Sequence, residues 1–394
     1  MFEVDGQSFL TIVVVAALAA VIAAQLASRL PVPVVVLEVV LGILVGPELL
    51  GLAEADSFVE FFSSLGLGML FFFAGYEIDF ARLRGEPIKL ALAGWAVSLV
   101  LAFTIGGLLA WAGVVLSLAL TGAAMTTTAV GTLIPILGDA GEMRTRFGTY
   151  MLGAGAIGEF GPILMITLFL STTRPVGSAL ILVAFVIVSL VVALVAVRSV
   201  GRGWKLVEQT MEGSSQLGVR LAVVLVFLLA FLAAELGLDL LLGGFMAGAI
   251  VRLALEGREV TVFESKLTAV GYGFFIPFFF VVSGLKLDVG ALADDPIRLL
   301  ELPLFLACFL IVRGGPALLL YRKALDSRDR LSLAFFSATG LPLIVAITTV
   351  GVERGEMRAS TAASLVAAAI LSTSIFPLVG LWLRGDRASA AAAP

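Results

Sequence analysis

The chain of 394 residues contains no histidine and one cysteine, and only 14% of its residues are charged. The absence of histidine excludes the usual zinc and haem ligands, Ser-His catalysis and the side chain that titrates nearest neutral pH. The lone thiol, Cys308, lies inside an apolar run, so neither a disulfide framework nor a cysteine-based metal site is available. We therefore expect no cofactor. The net charge of −4 is small and indicates no nucleic-acid partner.

Apolar residues make up 60% of the chain. A soluble domain carries roughly 25% charged residues, so this composition indicates a polytopic membrane protein with the lipid bilayer as its solvent. Apolar runs of bilayer length, bounded by charges and by Gly/Pro clusters, predict an all-helical fold of thirteen spans. The spans cover residues 9–28, 32–50, 60–76, 88–112, 114–137, 148–171, 176–197, 216–237, 239–255, 266–285, 297–320, 331–350 and 360–383.

The distribution of basic residues predicts the orientation of these spans. With the N-terminus outside and the C-terminus in the cytoplasm, the inside loops hold 19 Lys and Arg and the outside loops hold five. Cytoplasmic loops of membrane proteins carry such an excess of Lys and Arg. We therefore expect a single transmembrane domain over residues 1–394, crossing the inner (plasma) membrane many times.

The two halves of the chain repeat each other. Gly75-Tyr-Glu-Ile-Asp79 recurs as Gly284-Leu-Lys-Leu-Asp288, and Gly141-Glu-Met-Arg144 recurs as Gly355-Glu-Met-Arg358. These matches map spans 1–6 onto spans 8–13, and the one span between them inverts the second copy. Inverted-topology repeats are typical of secondary transporters. The predicted division is a first repeat over 1–171, a connecting helix and loop over 172–215, a second repeat over 216–385 and a short cytoplasmic tail over 386–394.

Two spans carry signals for a break in the helix. Transporters with inverted repeats bind their substrate at the midplane, where corresponding helices of the two halves are discontinuous and cross. Proline removes an N–H and frees a carbonyl, which a threonine hydroxyl can satisfy or help to turn toward an ion. The alternative is an ordinary proline kink with threonines bonded to their own helix. The residues concerned are Thr126, Thr127, Thr128, Gly131 and Pro135 in the fifth span and Thr339, Gly340 and Pro342 in the twelfth.

Two charged residues lie deep within apolar spans. Glu159 is in the middle of the sixth span, and Arg313 is within the eleventh. Either charge is costly in a bilayer unless it faces the protein interior and finds a partner, a proton or an ion. We expect Glu159 to bind a proton and a monovalent cation in turn, with the three threonines of the fifth span completing the site. Arg313 is expected to balance the charge of Glu159, and the alternative for it is snorkelling to an interface.

A third charged residue, Glu38, lies in an apolar run just before Gly42 and Gly46. It could line a pathway or hydrogen-bond within a helix contact, and we favour either of these roles over ion coordination. The Gly42/Gly46 pair and the Gly244/Gly248 pair occupy equivalent places in the two repeats. Glycines at this spacing predict close helix packing.

Four motifs occur in this order along the chain: LEVVLGILVGPELLG, LGLGMLFFFAGYEIDFARLR, TTTAVGTLIPILGD and IPFFFVVSGLKLD. They resemble the monovalent cation/proton antiporter superfamily, in particular its bacterial branch of sodium/proton antiporters and the membrane domain of glutathione-gated potassium efflux systems. The resemblance covers nearly the whole chain and rests on four motifs in the family's order. It implies a homodimer with a rigid dimerisation domain and a mobile core that carries the ion. Arg313 falls where the family has a membrane-embedded Lys or Arg.

The sequence departs from this family in the sixth span. There the electrogenic members carry two adjacent aspartates, and an electroneutral group carries Asn-Asp. The best alignment places Gly158 and Glu159 at these positions, and a slip of one residue would place Glu159 and Phe160 there. Either alignment leaves one carboxylate. We therefore expect electroneutral exchange of Na⁺ or K⁺ for H⁺, with Gly158 and Glu38 as candidate pathway residues.

Two other functions stay open. A glycine-lined cavity over residues 153–161 would suit a symporter that moves an organic anion with Na⁺ or H⁺ on the same fold. The other function is that of a sensor that transports nothing. None of these readings makes the protein an enzyme.

Overall fold

The computed structural model describes residues 5–26, 33–77, 85–169, 175–211, 213–238, 240–258, 260–287, 290 and 300–385. Over these ranges the backbone forms helices and turns, and none of the described residues is in a strand. The predicted tail over 386–394 lies outside the described residues, as do positions 78, 79 and 288 of the repeated motif.

The helices follow the predicted spans in order. The predicted first repeat contains α1 (Gly6–Leu26), α2 (Val34–Val45), α3 (Ser57–Tyr76), α4 (Glu86–Trp111), α5 (Leu118–Met125), α6 (Val130–Asp139) and α7 (Arg146–Phe169), and the predicted connector is α8 (Pro175–Met211). The second repeat contains α9 (Leu217–Glu235), α10 (Leu240–Ala254), α11 (Thr261–Val270), α12 (Ile276–Leu285), α13 (Glu301–Phe309), α14 (Gly315–Leu320), α15 (Ser327–Ser337), α16 (Pro342–Glu353) and α17 (Ala359–Arg384). One π-helical turn, Gly271–Phe275, joins α11 to α12, and another, Leu310–Gly314, joins α13 to α14.

Ten stretches of helix in the described part of the chain are long and apolar enough to cross a membrane. Three shorter apolar stretches, Val34–Val45, Leu118–Ile134 and Leu241–Ala254, lie where the second, fifth and ninth spans are predicted. Together they account for the thirteen spans expected from hydropathy. The predicted fold class, an all-helical polytopic membrane protein, is confirmed.

The helices group into two compact units that interleave along the chain. Unit 1 contains residues 1–6, 56–79 and 163–280, and unit 2 contains residues 7–55, 80–162 and 281–394. Each unit takes helices from both predicted repeats. The grouping of helices by contact therefore differs from their grouping by repeat.

In unit 1, α10 packs against α3 at glycines. A Cβ at Gly244 would lie 2.7 Å from the carbonyl oxygen of Gly68, and a Cβ at Gly248 would overlap the carbonyl oxygen of Phe72. Any larger residue at these positions would push the two backbones apart. This Gly-x-x-x-Gly pair therefore packs two helices closely, as its spacing predicts.

In unit 2, the other Gly-x-x-x-Gly pair packs α2 against the last residues of α12. A Cβ at Gly42 would lie 3.1 Å from the Cα of Gly284, and a Cβ at Gly284 would lie 2.9 Å from the backbone nitrogen of Ile43. Glu38 lies one helical turn before Gly42 and is 4% exposed. The acid is therefore in the packed part of α2 rather than at an exposed end.

In unit 2, an equivalent hydroxyl–carboxylate hydrogen bond occurs in each predicted repeat. It joins α4 to α7 in the first repeat and α13 to α17 in the second. The hydroxyl of Tyr150 on α7 donates to the carboxylate of Glu86 on α4 over 2.8 Å. In the second repeat, the hydroxyl of Ser364 on α17 donates to the carboxylate of Glu301 on α13 over 3.2 Å. Because both pairs join equivalent helices, they support the repeat assignment.

A buried ion pair joins three separate segments of unit 2. Arg384, at the end of α17, donates from Nε to Glu142 Oε1 (2.5 Å) and from Nη1 to Asp329 Oδ1 (2.7 Å). The side chain of Glu142 is fully buried, and the hydroxyl of Thr145 donates to it over 2.8 Å. The guanidinium also lies 4.3 Å from the ring centroid of Phe147. The last turn of α17 is therefore anchored beside the start of α7.

Replacing Arg384 with glutamine should destabilise the protein strongly, because it leaves the buried carboxylate of Glu142 without its cation. Breaking a buried pair from one side costs about 3–5 kcal/mol. We expect a large fall in the melting temperature of the purified protein.

The matched control is Lys286→Gln, which removes a partly exposed pair with Glu353 (3.1 Å). Exposed pairs contribute about 0–1 kcal/mol. Equal melting temperatures for the two variants would contradict a stabilising role for the buried pair.

Candidate functional site

The fifth span is broken at Thr126–Ala129, between α5 and α6. The hydroxyls of Thr126 and Thr127 donate to the carbonyl oxygens of Ala123 and Ala124, each over 2.9 Å. Side chains that bond to the backbone in this way compete with helix continuation. They also leave the oxygen lone pairs of both hydroxyls available for a cation.

The twelfth span is broken at Ala338–Leu341, between α15 and α16. Thr339 and Gly340 lie in this break, and Pro342 starts α16, where its missing N–H costs nothing. A Cβ at Gly340 would lie only 2.8 Å from Thr127 Oγ1. Glycine is therefore needed where the two breaks meet.

The two breaks cross and bind each other through the backbone. The N–H of Ala129 donates to the carbonyl of Thr339 over 2.8 Å, and Thr128 Oγ1 donates to the carbonyl of Ser337 over 2.5 Å. Two helices end and two begin around this crossing. Helix ends carry partial charges of both signs, so the crossing is polar although it is buried.

Arg313 lies on the π-helical turn between α13 and α14 and is 4% exposed. Its guanidinium donates to Thr128 Oγ1 (2.9 Å), to Ser98 Oγ (3.3 Å) and to the carbonyl of Ala154 (2.9 Å). These three acceptors come from three different segments, and all are uncharged. A π turn widens the helix locally, and such turns frequently occur at functional sites.

The guanidinium of Arg313 fills the space beside Gly158 on α7. A Cβ at Gly158 would overlap Nη2 of Arg313 and would lie 2.9 Å from its Cζ and 2.7 Å from Thr128 Oγ1. The carbonyl of Gly158 also accepts from the N–H of Thr128 over 3.0 Å. There is therefore no room for a side chain at the position before Glu159.

Glu159 follows directly and is half-buried. One helical turn before it, Gly155 meets Val130 at the start of α6, and a Cβ at Gly155 would lie 3.6 Å from the Cβ of Val130. The contacts of Gly155 and Gly158 therefore dock the α7 segment that carries Glu159 on the first break. Direct pairing of Glu159 with Arg313 stays a prediction.

The structure corrects two expectations about the first break. Gly131 and Pro135 lie inside α6, after the break rather than in it. The helix is interrupted where threonine hydroxyls bind carbonyls, and not where proline frees one. The second break follows the expectation, because Thr339 and Gly340 lie within it and Pro342 marks its end.

Thr128 has a different set of contacts from the other two threonines. Its hydroxyl donates to Ser337 and accepts from Arg313, so it orients the guanidinium. The pathway role predicted for Glu38 stays a prediction.

Sequence reasoning missed Ser98 and Ser372. Ser98 is fully buried, and its hydroxyl donates to the carbonyl of Val312 over 2.8 Å while accepting from Arg313. Ser372 on α17 accepts from the N–H of Gly340 over 3.3 Å. A signal existed for Ser98, since it precedes Arg313 by the same 215 positions that separate Glu86 from Glu301.

Comparison with known proteins agrees with this architecture. The family described as sodium/hydrogen exchanger, transmembrane, matches residues 13–383. The chain belongs to this family. The expected resemblance to monovalent cation/proton antiporters is thereby confirmed.

Several curated relatives of this chain have names that state what they exchange. YjbQ of Bacillus subtilis, whose name describes a Na⁺/H⁺ antiporter, is 27% identical over 364 residues, which cover 88% of this chain and 58% of that protein. The chain thus spans little more than half the length of that relative. The Na⁺/H⁺-K⁺ antiporter GerN of Bacillus cereus is 27% identical over 358 residues and 88% of both chains.

Solved structures support the fold of the chain. Two structures of the sodium proton antiporter MjNhaP1 from Methanocaldococcus jannaschii align over 98% of this chain and 97% of theirs. Their TM-scores are 0.60 and 0.64, at 16% and 17% sequence identity. At this level of identity the likeness establishes the fold.

Replacing Gly158 with alanine should disturb the site, because the new methyl group overlaps the guanidinium of Arg313. Overpacking of this kind costs about 1–3 kcal/mol. We expect a lower melting temperature and weaker ion exchange. Gly107→Ala on α4 is the matched control, because nothing lies within 4 Å of its Cβ position. A Gly158→Ala variant as stable and active as Gly107→Ala would contradict the tight contact.

Proposed function

We propose that this exchanger moves one monovalent cation, Na⁺ or K⁺, against one proton, with Glu159 as the shared carboxylate. Family membership supports cation/proton exchange, and the names of the relatives include Na⁺, K⁺ and H⁺. A carboxylate that holds either a cation or a proton couples the two, because both cannot occupy it together. Such coupling requires no chemical reaction, so we propose a transporter and not an enzyme.

The observation that carries this proposal is the position of Arg313. Its guanidinium fills the space beside Gly158, where the paired acid of electrogenic relatives would stand. One carboxylate is then left at this level of α7. A single carboxylate exchanges one positive charge for another, which supports electroneutral transport.

Oxygen ligands for the cation are available around the first break. The hydroxyls of Thr126 and Thr127 donate to carbonyls of α5 and keep their lone pairs for an ion. In this scheme Glu159 supplies the charge, the two threonines supply neutral oxygens, and Thr128 holds Arg313 in place. Opposed helix ends stabilise the bound cation and the empty carboxylate alike.

The glycines near Glu159 favour a small ion over an organic anion. The spaces beside Gly155, Gly158 and Gly161 are filled by Val130, by Arg313 and by the indole ring of Trp95. A glycine-lined cavity would be needed for a larger substrate. The cation-exchange proposal therefore fits these contacts better than anion symport does.

The cellular setting is part of the same proposal. The exchanger would act as a homodimer in the plasma membrane, with its N-terminus outside and its C-terminus in the cytoplasm. The basic-residue distribution supports the orientation, and the antiporter resemblance supports the dimer and a mobile ion-carrying core.

Replacing Glu159 with glutamine should abolish exchange, because an amide can neither titrate nor neutralise a cation. In proteoliposomes with an acid interior, we expect that external Na⁺ or K⁺ collapses the pH gradient for the wild type only. Glu235→Gln, which alters an exposed acid at the end of α9, should behave as wild type. Retained exchange in Glu159→Gln would refute the carrier role.

The apparent KM for the cation should rise as the pH falls, because the proton competes for the same carboxylate. With one competing proton, the rise approaches about tenfold per pH unit on the acid side. An imposed membrane potential should leave the rate unchanged. A steeper rise, or stimulation by voltage, would indicate a second transported proton.

A further inference from the structure

Two buried hydroxyls near the second break have no hydrogen-bond partner among the described residues. They belong to Ser337, the last residue of α15, and to Thr373 on α17, and these residues are 2% and 1% exposed. Leaving a buried hydroxyl unbonded costs free energy, and in folded proteins such groups usually bind a water or an ion. The two oxygens are therefore available to bind a water or an ion.

Both residues border the second break. Thr373 follows Ser372, whose hydroxyl accepts from the N–H of Gly340 over 3.3 Å. The carbonyl of Ser337 accepts from Thr128 Oγ1. One turn beyond Thr373, α17 contacts α15 again, because the ring centroids of Phe376 and Phe335 are 5.5 Å apart. The two residues thus lie on the two helices that enclose the break.

Thr373 is the counterpart of Glu159 in the second repeat. It lies 214 positions after Glu159, the same offset that separates Gly141 from Gly355 in the repeated Gly-Glu-Met-Arg motif. The residue before each also docks its own break. Gly158 accepts from the N–H of Thr128, and Ser372 accepts from the N–H of Gly340.

We propose that the hydroxyls of Thr373 and Ser337 form a second binding station for the transported monovalent cation. This second station depends on the exchange function proposed above. It adds two hydroxyl oxygens to the carboxylate oxygens of Glu159. The carbonyl end of α15 contributes partial negative charge, and hydroxyl and carbonyl oxygens replace the hydration shell of such ions. A hydroxyl takes up no proton at ordinary pH, so this station binds the cation without competition from H⁺.

The experiment compares valine substitutions at two equally buried threonines. Thr373→Val removes the unbonded hydroxyl and keeps the shape of the side chain. Thr348→Val is the matched control, because Thr348 is 2% exposed and its hydroxyl already donates to the carbonyl of Val345 over 2.9 Å. Thr373→Ser restores the hydroxyl. KM and kcat for Na⁺ and for K⁺ are measured in proteoliposomes at several pH values.

For Thr373→Val we expect a rise in cation KM of roughly three- to tenfold, with kcat within about twofold of wild type. The dependence of KM on pH should keep its wild-type slope, because the proton-binding carboxylate is intact. Thr348→Val and Thr373→Ser should resemble wild type. Ser337→Ala, a small change less prone to misfolding, should shift KM in the same direction.

An unchanged KM in folded Thr373→Val and Ser337→Ala would overturn the station. A change in melting temperature alone would do the same, since it would identify the occupant as a structural water. An equal KM shift in Thr348→Val would also overturn it. Failure of the exchange proposal is distinguishable, because it would appear as absent exchange in the wild type or as retained exchange in Glu159→Gln.

Discussion

The arrangement of the helices around the crossing of the two breaks depends on one buried charge, that of Arg313, which is bound by uncharged groups. The guanidinium of Arg313 is bound by two hydroxyls and one carbonyl, contributed by α4, by the first break and by α7. An isolated buried cation is costly, so these dipoles must be fixed in place for the arrangement to persist. Ser98 and Thr128 are in turn fixed by bonds to the carbonyls of Val312 and Ser337. The positive charge thus determines where α4, α7 and both breaks can lie.

Equivalent hydrogen bonds hold the crossing in place in the two predicted repeats. Each break is docked on the last helix of its own repeat, through Gly158 in one half and Ser372 in the other. A hydroxyl–carboxylate hydrogen bond also joins α4 to α7 in the first half and α13 to α17 in the second. The two halves differ in the middle of the last helix. The first half has Glu159 there, and the second has Thr373.

The sequence predicts the architecture and the polar residues of the site because a polar or charged group in the bilayer core has a high free-energy cost. Thirteen spans, both discontinuous helices and Arg313 could be found from hydropathy and from the cost of buried charge. The sequence placed the first break several residues late. Glycine and proline usually interrupt helices, yet Gly131 and Pro135 both lie within α6. The helix is interrupted where threonine hydroxyls donate hydrogen bonds to backbone carbonyls, and these hydrogen bonds cannot be read from the sequence.

The π turn at Arg313 and the two interleaved units could not be predicted. A π turn inserts one residue into a helix whose hydropathy pattern is otherwise ordinary, and the units depend on contacts between distant helices. Ser98 was missed because a single serine in an apolar helix usually bonds to its own backbone. Its hydrogen bond to Arg313 is seen directly in the structure, whereas in the sequence only the shared offset of 215 positions connects the two residues.

Under the proposed exchange, the difference between Glu159 and Thr373 would separate two tasks, coupling to the proton and selectivity among cations. Coupling requires that cation and proton exclude each other, and Glu159 in the first repeat is suited to this. Selectivity among cations requires oxygens that protons do not occupy, and hydroxyls such as those of Thr373 and Ser337 are of this kind. If both tasks fell to carboxylates, tighter cation binding would also change the proton competition. In this proposal, a threonine at the position equivalent to Glu159 would let the affinity for the cation vary while one-for-one exchange is retained.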